Sequence, residues 1–99
     1  DKLDTFYISS PSDLDMLWGC FLATGDKRYV EKIITTVPWS KKLTGSINKI
    51  SIGAAAVWSL TSNAQQHKLV LQILKEVSAA KPELQYDLSK IIEKAEKAH

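Results

Sequence analysis

Apolar side chains return every third or fourth position between residues 11 and 37, in two runs separated by a short polar interruption. Leu14, Leu17, Trp18, Phe21 and Leu22 form the first stripe, and Tyr29, Val30, Ile33, Ile34 and Val37 the second. That spacing places each set on one face of an α-helix. Ser10-Pro11-Ser12-Asp13 carries the signals of a helix start: a capping serine, a proline suited to the first helical position, and a carboxylate facing the exposed amides. Gly25 supplies the left-handed residue that stops the first helix, and Asp26 caps the second. Pro38 forbids continuation, because it lacks an amide proton and clashes with the preceding turn.

After a polar connection from Trp39 to Ser46, Ile47, Ile50, Ala54, Val57 and Trp58 mark a third helix, whose Gly53-Ala54-Ala55-Ala56 section permits a close backbone approach. The pattern breaks near Thr61 to Gln66. There, Ser62 with Gln65 or Asn63 with Gln66 can form a capping box for a fourth helix carrying Leu69, Val70, Ile73, Leu74 and Val77. Lys81-Pro82-Glu83 ends it, and Leu84, Leu88, Ile91, Ile92 and Ala95 give a last helix with a Lys/Glu-rich outer face. The expectation is an all-α fold in one domain over residues 1–99, with about five helices at about 11–24, 27–37, 47–61, 64–80 and 82–97. Two αα-hairpins and a C-terminal helix would pack as a compact bundle. Residues 1 to 9 are ambiguous, although Leu3, Phe6 and Ile8 are expected to pack.

Sliding the chain by 40 residues places Trp18 on Trp58, Val30 on Val70, Ile33 on Ile73 and Val37 on Val77. The hairpins thus read either as variants of one unit or as two amphipathic hairpins with the same apolar spacing. Leu22-Ala23-Thr24-Gly25-Asp26 followed by Tyr29-Val30-Glu31-Lys32-Ile33 resembles the helix-turn-helix junction of tetratricopeptide-type repeats. This offset exceeds the usual period of about 34, and the second unit has no Gly-Asp turn. Leu17-Trp18, the Ala23-Thr24-Gly25-Asp26 turn and Ala56-Val57-Trp58-Ser59-Leu60-Thr61-Ser62-Asn63 are similar to small helical bacterial proteins. Among these, the chain resembles the small helical substrates released by the Legionella type II secretion system. That resemblance implies an exported bacterial effector acting on host components, and it defines no catalytic site.

Little in the chain points to chemistry. Cys20 is alone, so an intrachain disulfide is excluded, a second thiolate for a metal is lacking, and a place in the core is expected. His67 has no His or Cys three or four residues away, and His99 ends the chain. Asp13 and Asp15 point different ways on a helix, while Glu93 and Glu96 lie among lysines that would pair with them. Neither phosphate-binding glycine motif can be written on four glycines. A non-enzymatic domain without cofactor or metal is therefore expected. The long uncharged run Ile50 to His67 is too rich in Ser, Thr, Asn and Gln to span a bilayer. The chain opens on Asp1 instead of Met, which fits a removed leader or a trimmed start and leaves the compartment open; secretion is what the resemblance to the exported bacterial proteins implies.

Charge changes the picture most. Net charge is +2, but residues 26–49 carry Lys27, Arg28, Lys32, Lys41, Lys42 and Lys49 against Asp26 and Glu31, a local +4. Trp18 and Trp58 fall in apolar stripes and are expected in the core. Trp39 follows Pro38 in a connection, where it would either fold back as a lid or present its ring among lysines. An amphipathic ring flanked by ammonium groups suits a membrane interface. Lys27, Arg28, Lys32, Trp39, Lys41, Lys42 and Lys49 are accordingly the candidate site for an anionic ligand such as phosphoinositide headgroups of a membrane. The alternative is a tetratricopeptide-like module that holds a peptide or a partner helix in a groove. A third reading places Phe6, Tyr7 and Ile8 in a dimer interface. Nucleic acid is an unfavourable partner for so small a net charge.

Overall fold

The computed structural model describes residues 2–41 and 46–99, and among them it contains helices and no strand. A short α1 (Lys2–Thr5) precedes α2 (Pro11–Thr24) and α3 (Lys27–Ile34). A 3₁₀ turn, Val37–Ser40, leads to α4 (Ile47–Gln66), α5 (Lys68–Ala80), a second 3₁₀ turn at Pro82–Leu84, and α6 (Gln85–Glu96). The all-α bundle of about five substantial helices is thus as the sequence predicts. No helix among the described residues is long and apolar enough to cross a membrane.

Local chemistry explains most of the boundaries. The Asp13 carboxylate accepts the amides of Ser9 (2.8 Å) and Ser10 (3.1 Å) at the start of α2. The Ser9 amide is the main cause holding this carboxyl below its ordinary value. Gly25 stops α2 in the left-handed region at φ 70°, with its amide on the Phe21 carbonyl at 2.7 Å. α3 ends at Ile34, three residues before the expected boundary. The Thr35 and Thr36 hydroxyls turn back onto the carbonyls of Lys32 and Ile33, and Val37-Pro38 continues as the tighter 3₁₀ turn.

The expected break at 61–64 is absent. α4 runs on to Gln66 because its polar residues bond within their own helix: Thr61 Oγ1 donates to the Val57 carbonyl at 2.7 Å and Asn63 Nδ2 to the Ser59 carbonyl at 2.8 Å. Side chains that could cap a new helix are thereby spent on the old one. The chain breaks instead at His67, which adopts extended backbone (φ −130°, ψ 114°).

The helices lie in a definite order. Asn48 Nδ2 donates to the Ser9 carbonyl (2.9 Å) and Trp18 Nε1 to Ser59 Oγ (2.9 Å), so α2 and α4 lie side by side and run the same way. α6 follows the same direction, joined at its start by Asp87 to Lys41 and at its end by His99 Nε2 to the Ala64 carbonyl at 2.8 Å. α3 and α5 return between them, with Lys75 of α5 paired to Glu96 of α6 (2.9 Å). One row therefore holds α2, α4 and α6, and α3 and α5 pack together in the other. The buried apolar residues of all these helices join in one cluster, with Ile8 included. Of the three residues expected at a dimer interface, Ile8 is buried in this core, Phe6 is half-buried against it and Tyr7 is exposed.

The core differs from the predicted one mainly in α4. Its inward face is Ile52, Gly53, Ala56, Leu60 and Ala64, and the expected Ile47, Ala54 and Trp58 point outward. Trp58 is 74% exposed and Ile47 84%, whereas Trp18 is 7% exposed. α4 is apolar around most of its circumference, so spacing alone does not choose a face. Contact does: a Cβ on Gly53 would lie 2.6 Å from the Trp39 carbonyl carbon and 2.8 Å from Ser40 Cα. The 3₁₀ turn therefore packs against the face with no side chain, and the tryptophan is turned away. Leu22 and Leu69 are likewise exposed, and Cys20, expected in the core, is half-buried. Of the 40-residue pairs, Val30/Val70, Ile33/Ile73 and Val37/Val77 are buried at both positions, although Val37 lies in the 3₁₀ turn and Val77 in α5, and Trp18 and Trp58 are not equivalent in environment.

Two glycine substitutions are expected to move stability in opposite directions. Gly53→Ala forces the 3₁₀ turn off α4 and is expected to cost about 1–3 kcal/mol. Gly19→Ala, at a helix position where a methyl meets no atom within 4 Å, is expected to gain about 0.5–1 kcal/mol. Urea unfolding followed by circular dichroism measures both.

Candidate ligand groove and the basic residues

α3 begins at Asp26, whose Oδ1 accepts the Arg28 amide at 3.0 Å, while the Arg28 guanidinium folds back with Nη2 2.8 Å from Oδ2. The side-chain hydrogen bond from Arg28 is the main reason the Asp26 carboxyl sits below its ordinary value, and the same bond raises the guanidinium. Asp4 of α1 adds a further attraction for Arg28. These short-range pairings fix where the N-terminal turn of α3 presents its cations.

Between α1, α3, α5 and the second 3₁₀ turn lies an open groove of about 530 Å³, within the ~300–1,000 Å³ of ordinary ligand pockets. Leu3, Ile34, Val77, Ala80 and Leu84 give it apolar walls. Lys27, Arg28, Lys32 and Lys81 line it with positive charge, and Asp4, Glu31 and Glu76 with negative. Lys27, Lys32 and Lys81 make no ion pair among the described residues. The groove can therefore hold anionic oxygens on ammonium groups, accept hydroxyl or amide donors on carboxylates, and cover a small apolar segment.

Three of the seven predicted site residues, Lys27, Arg28 and Lys32, meet here, and Trp39, Lys41 and Lys49 do not. Lys41 Nζ pairs with Asp87 of α6 at 3.1 Å, and Lys49 Nζ lies over the Trp39 ring, 5.2 Å from its centroid. Trp39 is half-buried against the core, which is the lid arrangement. None of these three lines the groove. Lys42 lies outside the described residues. Lys81 was missed because it stands beside Pro82 in a charge-balanced stretch, far along the chain from the basic centre. Only the return of α5 alongside α3 brings it near.

A smaller cleft of about 220 Å³ is bounded by Phe6, Met16, Leu17, Cys20 and Tyr29 among others, with Cys20 Sγ 3.7 Å from Met16 Sδ. His67 is exposed at the break between α4 and α5. Among the described residues, no group of three His, Cys, Asp or Glu is placed to hold a metal ion. Compared with known family models, curated proteins and solved structures, the chain matches none.

The Asp26 cap carries a pH dependence of known sign. A carboxyl held below its ordinary value of 3.8 stabilises the fold above that pH and loses its contribution as pH falls through the folded value. Asp26→Asn is therefore expected to lower the melting temperature at about pH 7 and to differ little from wild type at about pH 2. Thermal melts at the two pH values test this.

Proposed function

We propose that this domain is a non-enzymatic binding module whose α3/α5 groove takes the headgroup of a phosphoinositide at an anionic membrane surface. The observation that supports the reading is the convergence of Lys27, Arg28, Lys32 and Lys81 on one groove, with Lys27, Lys32 and Lys81 making no ion pair among the described residues. A phosphorylated polyol needs both signs of partner. Its phosphates suit ammonium and guanidinium groups, and its hydroxyls donate to carboxylates such as Glu31 and Glu76. The site is thus smaller than the seven-residue surface expected from the sequence, and it omits the Trp39 ring.

Each basic residue close to an anionic surface contributes on the order of 1 kcal/mol, so binding is expected to be salt-sensitive and moderate. The apolar walls from Ile34, Val77 and Leu84 favour a second reading, a protein-interaction module that buries a peptide or partner helix in the same groove. Such binding depends less on salt.

Cosedimentation with vesicles of phosphatidylcholine, phosphatidylserine or individual phosphoinositides, at low and physiological salt, separates the two. Phosphoinositide-dependent binding that falls about tenfold or more in Lys27→Glu/Lys32→Glu, with Lys41→Glu close to wild type, is the expected result. No binding at either salt removes the membrane reading and leaves the peptide one.

A further inference from the structure

The smaller cleft, about 220 Å³ between α1, α2 and α3, adjoins the basic groove and differs from it in chemistry. Its lining is mostly carbon and sulfur. Leu17 is buried, Leu3, Phe6 and Tyr29 are half-buried against the core, and Met16 is exposed. Cys20 Sγ, 3.7 Å from Met16 Sδ, completes the α2 side. The charged residue of the lining is Arg28, whose guanidinium is folded onto Asp26 with Nη2 2.8 Å from Oδ2, and a side chain so engaged covers apolar surface with its stem. Leu3 and Arg28 line the α3/α5 groove as well, so the two hollows meet at these residues. An apolar slot therefore opens beside Lys27, Lys32 and Lys81 of the groove, which make no ion pair among the described residues.

We propose that groove and cleft form one amphiphile site, in which the groove holds the phosphorylated headgroup of an anionic lipid and the cleft holds a segment of that lipid's acyl chain. The inference rests on the headgroup reading of the groove and adds the tail to it. Charge complementarity and size select the occupant. Cations on one side of Leu3 and hydrocarbon on the other suit a ligand that joins anionic oxygens to a carbon chain within one molecule. A bare inositol phosphate leaves the cleft unfilled, and a helix of about 10 Å diameter is too wide to enter it. A dry apolar cavity of about 150 Å³ holds a benzene ring, so in proportion a cleft of about 220 Å³ has room for about eight carbons. A longer chain continues outward past Met16. Full burial of one methylene favours binding about fourfold, so even partial burial of such a segment multiplies the affinity of the headgroup many times.

Cys20 is the only cysteine of the chain and stands in the cleft wall, so its alkylation reports occupancy without any substitution. The test compares a soluble inositol bisphosphate with monoacyl phosphoinositides of the same headgroup and four, eight or twelve chain carbons, each below its critical micelle concentration. Calorimetry measures affinity, and mass spectrometry follows iodoacetamide addition to Cys20. The expected result is binding about thirtyfold or more tighter for the eight-carbon lipid than for the headgroup, with little further gain at twelve carbons. Alkylation slows about tenfold or more with the eight-carbon lipid and not with the headgroup. Lys27→Glu/Lys32→Glu weakens every ligand, whereas Cys20→Phe, which fills the cleft, weakens only the acylated ones. Circular dichroism verifies that both variants fold, and the wild-type alkylation rates decide the matter independently of them. Equal affinities for headgroup and lipid, with Cys20 alkylated at its ligand-free rate, overturn the tail site and leave the headgroup reading standing. Affinity that keeps rising steeply from eight to twelve carbons also overturns it, because a cleft of fixed size saturates. Protection of Cys20 that survives Lys27→Glu/Lys32→Glu undiminished overturns the joined site by separating tail from groove, and no binding of any ligand removes both the tail site and the headgroup reading.

Discussion

At one point in the molecule two backbones approach so closely that a hydrogen atom fits between them and a methyl group does not. Gly53 of α4 faces the Trp39-Ser40 segment of the 3₁₀ turn there, and much of the fold follows from that contact. It sets the rotation of α4 about its axis, because the helix must offer its bare side to the turn. Ala56 and Ala64 then line the same buried face, and the larger Ile47 and Trp58 are carried to the opposite side. The rotation also brings Ser59 under the Trp18 indole and Lys49 over the Trp39 ring. The orientation of the central helix, the burial of one tryptophan and the exposure of another are thus consequences of a single close approach.

The same packing separates the charges. The basic centre of the chain, continuous in sequence, is divided in space: the cations of α3 face a groove shared with α5, whereas Lys41 is engaged with Asp87 and Lys49 with the Trp39 ring. A lysine paired with a carboxylate or lying over a ring has already satisfied part of its electrostatic preference, so it attracts a ligand less than an unpaired one. The groove consequently derives its positive character from Lys27, Lys32 and Lys81, with Arg28 partly committed to Asp26.

Stability is distributed in the manner of a small helical domain without cross-links. Cys20 is a free thiol, and the buried cluster drawn from every helix from α2 to α6 carries the hydrophobic contribution. The helix ends are tied by short local bonds, such as those of Asp13 and Asp26, which contribute at neutral pH and weaken in acid. Among the described residues, the buried side-chain polar atoms find partners as well. Thr36, fully buried, donates its hydroxyl to the Ile33 carbonyl at 2.8 Å, so the polar residue at the corner between α3 and the 3₁₀ turn is accommodated without an unsatisfied group.

The amino-acid sequence by itself determined the helical class, the two hairpins, the stop at Gly25, and the buried faces of α2, α3 and α6 apart from Leu22. In those segments local signals agree: periodic apolar residues occupy one face, charged residues the other, and caps mark the ends. Where the chain is apolar all round, as in α4, or polar without charge, as at residues 61–66, local signals permit more than one answer. There only tertiary contact decided. The approach of the 3₁₀ turn to Gly53 chose the buried face, and hydrogen bonds inside the helix carried α4 past Asn63. The groove belongs to the second kind as well, since Lys81 is some fifty residues from Lys27 and Lys32 and joins them only because α5 packs against α3. Sequence neighbours share a charge pattern, but a site is made by elements that return to one another, and the return is set by packing.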